Sequence, residues 1–227
     1  MERIHYSLLA ALFEYPDANY PQKVQDVVEF LHGRYLKAAA ELDRFVTHLP
    51  SDDLMTMQEL FTRSFDVQAV TTLDIGYVLF GDDYKRGEML ANLNREHVKA
   101  GVDCGTELAD HLPNLLRLLA VLKDEDLIND LVNAILAPAL REMVGEFNPD
   151  RVEKRNISYQ KHYKTLIETP AVATEAVTLY QFALNSLYQV LKQDFVLVDT
   201  ISLKITSDFL TSVGRENRIE ESANNQY

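Results

Sequence analysis

Glu107, Asp110 and His111 stand within five residues of one another, directly ahead of Leu112 and Pro113. Two carboxylates and an imidazole at that spacing could ligate a metal, exchange protons as an acid and a base, or hold a charged partner. Metal binding needs several convergent ligands, and the remaining ones are not evident. The Asp110-His111 order also reverses the His-Asp pair of metal phosphohydrolases. The six histidines, His5, His32, His48, His97, His111 and His162, are scattered without ligand spacing.

Glu107 and Asp110 could act as an acid/base pair, but carboxylates three apart ahead of a helix more often serve its electropositive start. The chain has no Gly-rich phosphate loop, no His-Glu-x-x-His pair and no Gly-x-Ser-x-Gly elbow. Catalysis therefore has no positive support, and the expectation is a protein that is not an enzyme and binds no metal. Two readings of the turn remain open. Its carboxylates can satisfy free amide groups at the helix that Pro113 starts, or the turn can offer carboxylates and an imidazole to a peptide lying along neighbouring helices. His111 beside Asp110 is a candidate proton-sensing group.

The elements that must position these residues are helical. Leu8, Leu9, Leu12 and Phe13 repeat at helical spacing until Tyr15-Pro16-Asp17. Pro21 suits a first helical position ahead of Val24, Val27, Val28 and Leu31, with Gly33 as the break. A helix through Leu36, Leu42, Phe45 and Leu49 ends at Pro50. Ser51 or Asp52 then caps one that carries Leu54, Met57, Leu60 and Phe61. Thr71 to Phe80 is ambiguous between strand and short helix. Asp82 caps a helix with Met89, Leu90, Leu93 and Val98 that Gly101 closes.

Pro113 starts Leu115 to Leu122, and Asp124 or Asp126 opens a helix that Pro138 must kink or divide. The stretch from Asp150 to Lys164 is polar and reads as an excursion. Glu175 to Leu191 returns to a clear helix, the type of Phe195 to Ile205 is open, and Gly214 to Tyr227 reads as a frayed tail. The sum is an all-α bundle of roughly eight to ten helices at ordinary helix lengths. Residues 1–213 are expected to form a single all-helical domain, with 214–227 as a flexible tail.

Composition agrees with a folded, soluble chain. Hydrophobic residues make up 47% of the 227 and charged residues 25%, and the formal net charge is -13. Such an acidic balance argues against nucleic acid, whose binding rests on Lys and Arg. Cys104 is the single cysteine, which excludes an intramolecular disulfide and suits a reducing compartment. No apolar run approaches the roughly 18 residues that span a bilayer.

The order Ser64-Phe65-Asp66, Gly81-Asp82, Arg86-Gly87 with Met89-Leu90 and Leu93, Ala100-Gly101, and Glu107 to Pro113 resembles the NarJ branch of the TorD/DmsD/NarJ chaperones. These are the redox-enzyme maturation proteins of molybdenum enzymes. The resemblance is best from about Phe61 to Leu122, with a looser likeness around Tyr15-Pro16. It implies an all-helical cytoplasmic chaperone that binds the N-terminal segment of a molybdoenzyme catalytic subunit, as in nitrate reductase assembly.

Such a chaperone keeps the apoprotein competent for insertion of the bis-molybdopterin guanine dinucleotide cofactor before membrane docking or export, holds no cofactor stably itself, and has cofactor-biosynthesis proteins as further partners. By the resemblance, Glu107, Asp110, His111, Leu112 and Pro113 correspond to the client-peptide turn. Phe65, Asp66, Gly81, Asp82, Arg86 and Gly87 match motifs with a structural role, in which Arg86 can pair with Asp82 one helical turn earlier. Ala109 departs from the Pro common in the family, and the region after Pro149 follows no family pattern. The alternative is an all-helical adaptor or scaffold that binds another partner helix and takes no part in cofactor delivery.

Overall fold

A computed structural model describes residues 3–154 and 178–197. They form helices joined by short loops, with no strand among the described residues and one isolated antiparallel bridge, Asp74 with His111. The all-α expectation holds. The helices are α1 (His5–Ala10), α2 (Tyr20–Arg34), α3 (Leu36–His48), α4 (Leu54–Phe65), α5 (Ile75–Phe80), α6 (Tyr84–Ala100), α7 (Leu112–Val121), α8 (Glu125–Asp130), α9 (Ala137–Glu146) and α10 (Tyr180–Asp194). A short 3-10 turn, Ala11–Phe13, extends α1, and a π-helical segment, Leu131–Leu136, links α8 to α9.

The chain divides into two compact units, each assembled from separate stretches of sequence. One unit holds α1, α5, α6, α7, α8 and the π segment. Its core is mostly aliphatic: Leu9, Ile75, Met89, Leu93, Leu112, Leu115, Leu116, Leu119, Ile128 and Val132 are buried, as is Tyr6. Within it α7 packs on α1 and α6, while α5 packs on α6 and the π segment. Fully burying each such side chain contributes about 1.5–3 kcal/mol, which offsets the entropy of ordering these short helices.

The other unit holds α2, α3, α4, most of α9 and α10, and an aromatic cluster sits within its core. The Tyr180 ring lies 4.9 Å from Phe65, 5.2 Å from Phe45 and 5.7 Å from Phe61. Burying tyrosines requires partners for their hydroxyls. Tyr20 donates to the Leu12 carbonyl at 2.8 Å, so the Tyr180 hydroxyl, 3.2 Å away, donates to Tyr20. Ser186 donates to the Ala38 carbonyl and fixes the register of α10 on α3. Tyr35 donates to Asp194, and burial with that carboxylate pushes the phenol up to about 12.

Several helix ends fall where the sequence puts them. Pro21 and Pro113 lie in the first turns of α2 and α7, Gly101 closes α6 with a left-handed residue, and Asp124 caps α8 by accepting from two backbone N–H groups. Others differ. Helix α2 runs through Gly33 to Arg34 and stops at Tyr35, whose backbone leaves the helical region. Asp53, not Ser51 or Asp52, caps α4, accepting from the Thr56 N–H. Asp83, not Asp82, caps α6. The ambiguous stretch Thr71 to Phe80 resolves as a loop followed by α5.

Pro138 does not end its helix. The π segment just before it widens the turn where the ring would meet the carbonyl four residues back, and the helix continues as α9. Residues 149–154, at the start of the expected polar excursion, are helical, with Val152 buried. The rest of that excursion, Val177, most of Phe195 to Ile205 and the tail lie outside the described residues.

Candidate functional site

The turn from Val102 to His111 joins α6 to α7, and four side-chain and backbone devices hold its shape. Gly105 donates its N–H to Asp103, and the Glu107 and His111 N–H groups close on the carbonyls of Cys104 and Leu108. Asn114, buried in the first turn of α7, donates to both of those carbonyls, at 3.2 and 3.0 Å. His97, in the last turn of α6, donates Nε2–H to the Ala109 carbonyl at 3.1 Å. Its buried Nδ1 has no partner, and burial lowers the His97 pKa, which keeps the ring neutral in this donor role.

At the far end of the turn the chain meets α5. The Asp110 carbonyl accepts the Ile75 N–H at 3.0 Å and the Asp110 Oδ2 accepts the Gly76 N–H at 3.0 Å. The Tyr77 and Val78 N–H groups return to the Asp74 carbonyl. All four N–H groups at the start of α5 are thereby satisfied, two of them by a residue 34 positions further along the chain. Asp110 thus caps a helix, as one sequence reading allowed, but the helix is α5 and not α7. Helix α7 has His111 at its N-cap with no side-chain cap bond.

Arg86, in the first turn of α6, bridges the two carboxylates. Its Nε donates to Asp110 Oδ2 at 3.2 Å and its Nη2 to Asp74 Oδ2 at 2.9 Å, while the guanidinium carbon lies 5.5 Å from the Tyr77 ring centre. The expected Asp82 pairing is replaced: Asp82 is exposed in the turn before α6, and the charge of Arg86 goes to longer-range partners. Asp74 Oδ1 in turn accepts from His111 Nδ1 at 3.2 Å, and Glu107 stands 4.0 Å from the same nitrogen. The carboxylate beside the imidazole is therefore that of Asp74, not its sequence neighbour Asp110.

Burial raises the Asp110 carboxyl above its ordinary range and the like charge of Asp74 adds to this, with Arg86 opposing. The Asp74 carboxyl is held below its ordinary range, first by the hydrogen bond from His111 and then by Arg86. Burial works against the Arg86 charge, but Asp110 and Asp74 outweigh it and raise its pKa.

The residues of the expected client turn fall into two groups. Asp110 is 0% exposed and Leu112 and Pro113 are buried, so they face the interior. Glu107, with 59% of its side chain exposed, faces outward beside Leu108 at 47%, while His111, at 18%, is largely covered against Asp74. Of the second motif, Arg86 joins this cluster. Gly81 ends α5 at φ 60 and ψ -135, a backbone that only glycine adopts without strain. Gly87 is exposed on α6 with open space around it. Phe65 and Asp66 belong to the other unit, Phe65 in the aromatic core and Asp66 as the C-cap of α4.

Sequence reasoning missed Asp74, Gly76, His97 and Asn114. Only Gly76 carried a signal: a glycine inside an apolar run marks a close backbone approach. A Cβ there would lie 2.7 Å from Asp110 Oδ2 and 3.1 Å from Arg86 Cγ, and would collide with the Met89 methyl. Among the described residues, no three His, Cys, Asp or Glu side chains gather where they could hold a metal ion, and no helix is long and apolar enough to cross a membrane. Cys104 is partly buried at the edge of the turn, as expected, and burial raises its thiol pKa.

The described helices thus spend their polar cluster on bracing one turn, with Glu107 and Leu108 exposed on its outer side. No protein-family model matches the chain. The chain is similar to the probable nitrate reductase molybdenum cofactor assembly chaperone NarW of Escherichia coli (strain K12), at 26% identity over 175 residues, 75% of this chain and 71% of that protein. The resemblance to the NarJ/TorD chaperones, first seen between Phe61 and Leu122, is borne out by this likeness over three quarters of the chain.

Proposed function

We propose that this protein is a maturation chaperone for a nitrate reductase-like molybdoenzyme. In this reading it is not an enzyme. It binds the N-terminal segment of the catalytic subunit in the cytoplasm and keeps the apoprotein open for insertion of bis-molybdopterin guanine dinucleotide, which is cargo of the client and not a resident group. Cofactor-biosynthesis proteins are the further partners. The observation that carries this reading is the similarity to an assembly chaperone across most of both chains. The net charge of -13 supports a client segment carrying Lys or Arg, through steering more than raw affinity.

Within the site, Glu107 and His111 are the contacts, and Asp110, Leu112 and Pro113 hold the turn that presents them. A segment that folds on binding gives up about 2–5 kcal/mol in ordering, which suits an affinity that permits release. The test is affinity capture of the tagged chaperone from cells that make the enzyme, with the captured protein identified and its molybdenum measured. A cofactor-free catalytic subunit, lost when its N-terminal segment is deleted, is the expected result. Capture of mature, molybdenum-loaded enzyme, or of an unrelated helical partner instead, would refute the reading in favour of an adaptor.

A further inference from the structure

The cluster around Arg86 does more than balance charge. Arg86 is largely covered, with 18% of its side chain exposed, and its planar fork reaches two carboxylates at once, Asp110 through Nε and Asp74 through Nη2. Asp110 is anchored by the Gly76 N–H, so the fork fixes Asp74 relative to a rigid point. The other oxygen of Asp74 meets His111 Nδ1 at 3.2 Å. An ionised carboxylate only accepts hydrogen bonds, so Nδ1 carries the proton in that contact. In the neutral ring the remaining nitrogen, Nε2, is then a bare acceptor.

Accordingly, we propose that Arg86 is a positioning residue that selects the tautomer of His111 through Asp74, so that the turn presents Nε2 as an acceptor for an N–H donor of the client segment, an amide or a basic side chain. This rests on the reading of the 107–113 turn as the client site. It assigns specificity to a relay that never touches the client: Arg86 sets Asp74, Asp74 sets the ring, and the ring meets the peptide. Lysine could keep the charge at position 86 but not the fork, since an ammonium is a point charge that cannot bridge two carboxylates in a fixed plane.

The experiment compares wild type with Arg86→Lys, Asp74→Asn, His111→Ala and Glu107→Gln. Each is titrated calorimetrically with a synthetic peptide carrying the N-terminal segment of a nitrate reductase catalytic subunit. Nitrogen NMR of the His111 ring reports its tautomer, and urea unfolding confirms that each variant is folded. Wild type should show one tautomer, protonated at Nδ1. Arg86→Lys and Asp74→Asn should fold, show mixed tautomers and bind roughly tenfold more weakly, the scale of one lost hydrogen bond.

A wild-type-like tautomer or unchanged affinity in both variants would overturn the relay. If Arg86→Lys fails to fold, Asp74→Asn decides, because Asp74 lies nearer the surface. If His111→Ala weakens binding while the relay variants do not, the relay fails and the site stands. If His111→Ala and Glu107→Gln both bind as wild type does, the site fails and the relay with it.

Discussion

Gly76→Ala isolates the contact on which the whole cluster depends. The added Cβ would sit 2.7 Å from Asp110 Oδ2, where an ordinary carbon–oxygen contact is about 3.3 Å or more. The carboxylate must retreat by roughly half an ångström, which stretches its 3.0 Å bond from the Gly76 N–H to the limit of hydrogen bonding. The Met89 methyl also blocks the site, and Met89 is buried, so moving it disturbs the core.

Weakening a buried bond to a charged group costs about 1.5–3 kcal/mol. Overpacking costs about 1–3 kcal/mol, and alanine's better helix propensity returns about 0.5–1 kcal/mol. The net expectation is a loss of about 2–5 kcal/mol, seen as a lower urea midpoint by circular dichroism and a fall in Tm of at least about 4 °C. Gly87→Ala is the matched control. It makes the same change on an exposed helical face with nothing within 4 Å, and should raise stability by about 0.5–1 kcal/mol. Equal behaviour of the two variants, or a Gly76→Ala protein as stable as wild type, would refute the close approach of Asp110 to α5.

The two carboxylates of the cluster should respond to pH in opposite senses. The lowered pKa of Asp74 contributes stability that is present above its ordinary value of 3.8 and lost as pH falls through the folded value, so Asp74→Asn should cost most near neutrality and least in acid. The raised pKa of Asp110 means that ionisation is harder in the folded state, so wild type should lose ground to Asp110→Asn as pH rises above 3.8 and level off beyond the folded value; urea midpoints measured across that range check both. Asn114→Ala removes the donor to the Cys104 and Leu108 carbonyls and should cost about 1–3 kcal/mol. Amide exchange at Glu107 and His111 should quicken most, and unchanged protection there would show that Asn114 does not brace the turn.

The features legible in the sequence were those set by a single residue's backbone. Pro113 and Pro21 have no N–H and so belong in a first turn, and Gly101 closes α6. Caps were misplaced where adjacent residues compete. Asp82 and Asp83 have the same side chain, and only the extended backbone at Asp83 lets its carboxylate turn back to the Lys85 N–H. Partners were illegible where folding brings distant positions together. Helical spacing offers Arg86 Asp82 and Asp83, whereas the fold offers Asp74 and Asp110, 12 and 24 residues away. Ionic contacts of that range follow from packing α5 on α6, which local periodicity does not encode.

The burial of Asp110 is the least expected feature and the most informative. Its Oδ1 is buried without a partner, and an uncompensated carboxylate in such a place is costly. A buried ion pair is weak evidence for stability but a good device for fixing register. Here it fixes which face of the 107–113 turn looks outward. Asp110 and Arg86 lock the inner face against α5 and His111 ties in through Asp74, so the outer face can carry Glu107 and Leu108 without needing them for folding. Substitutions on the inner face should therefore change stability and binding together, while substitutions on the outer face should change binding alone. That division separates a recognition turn from a merely structural one, because a structural turn would have no position where affinity falls and the unfolding midpoint stays put.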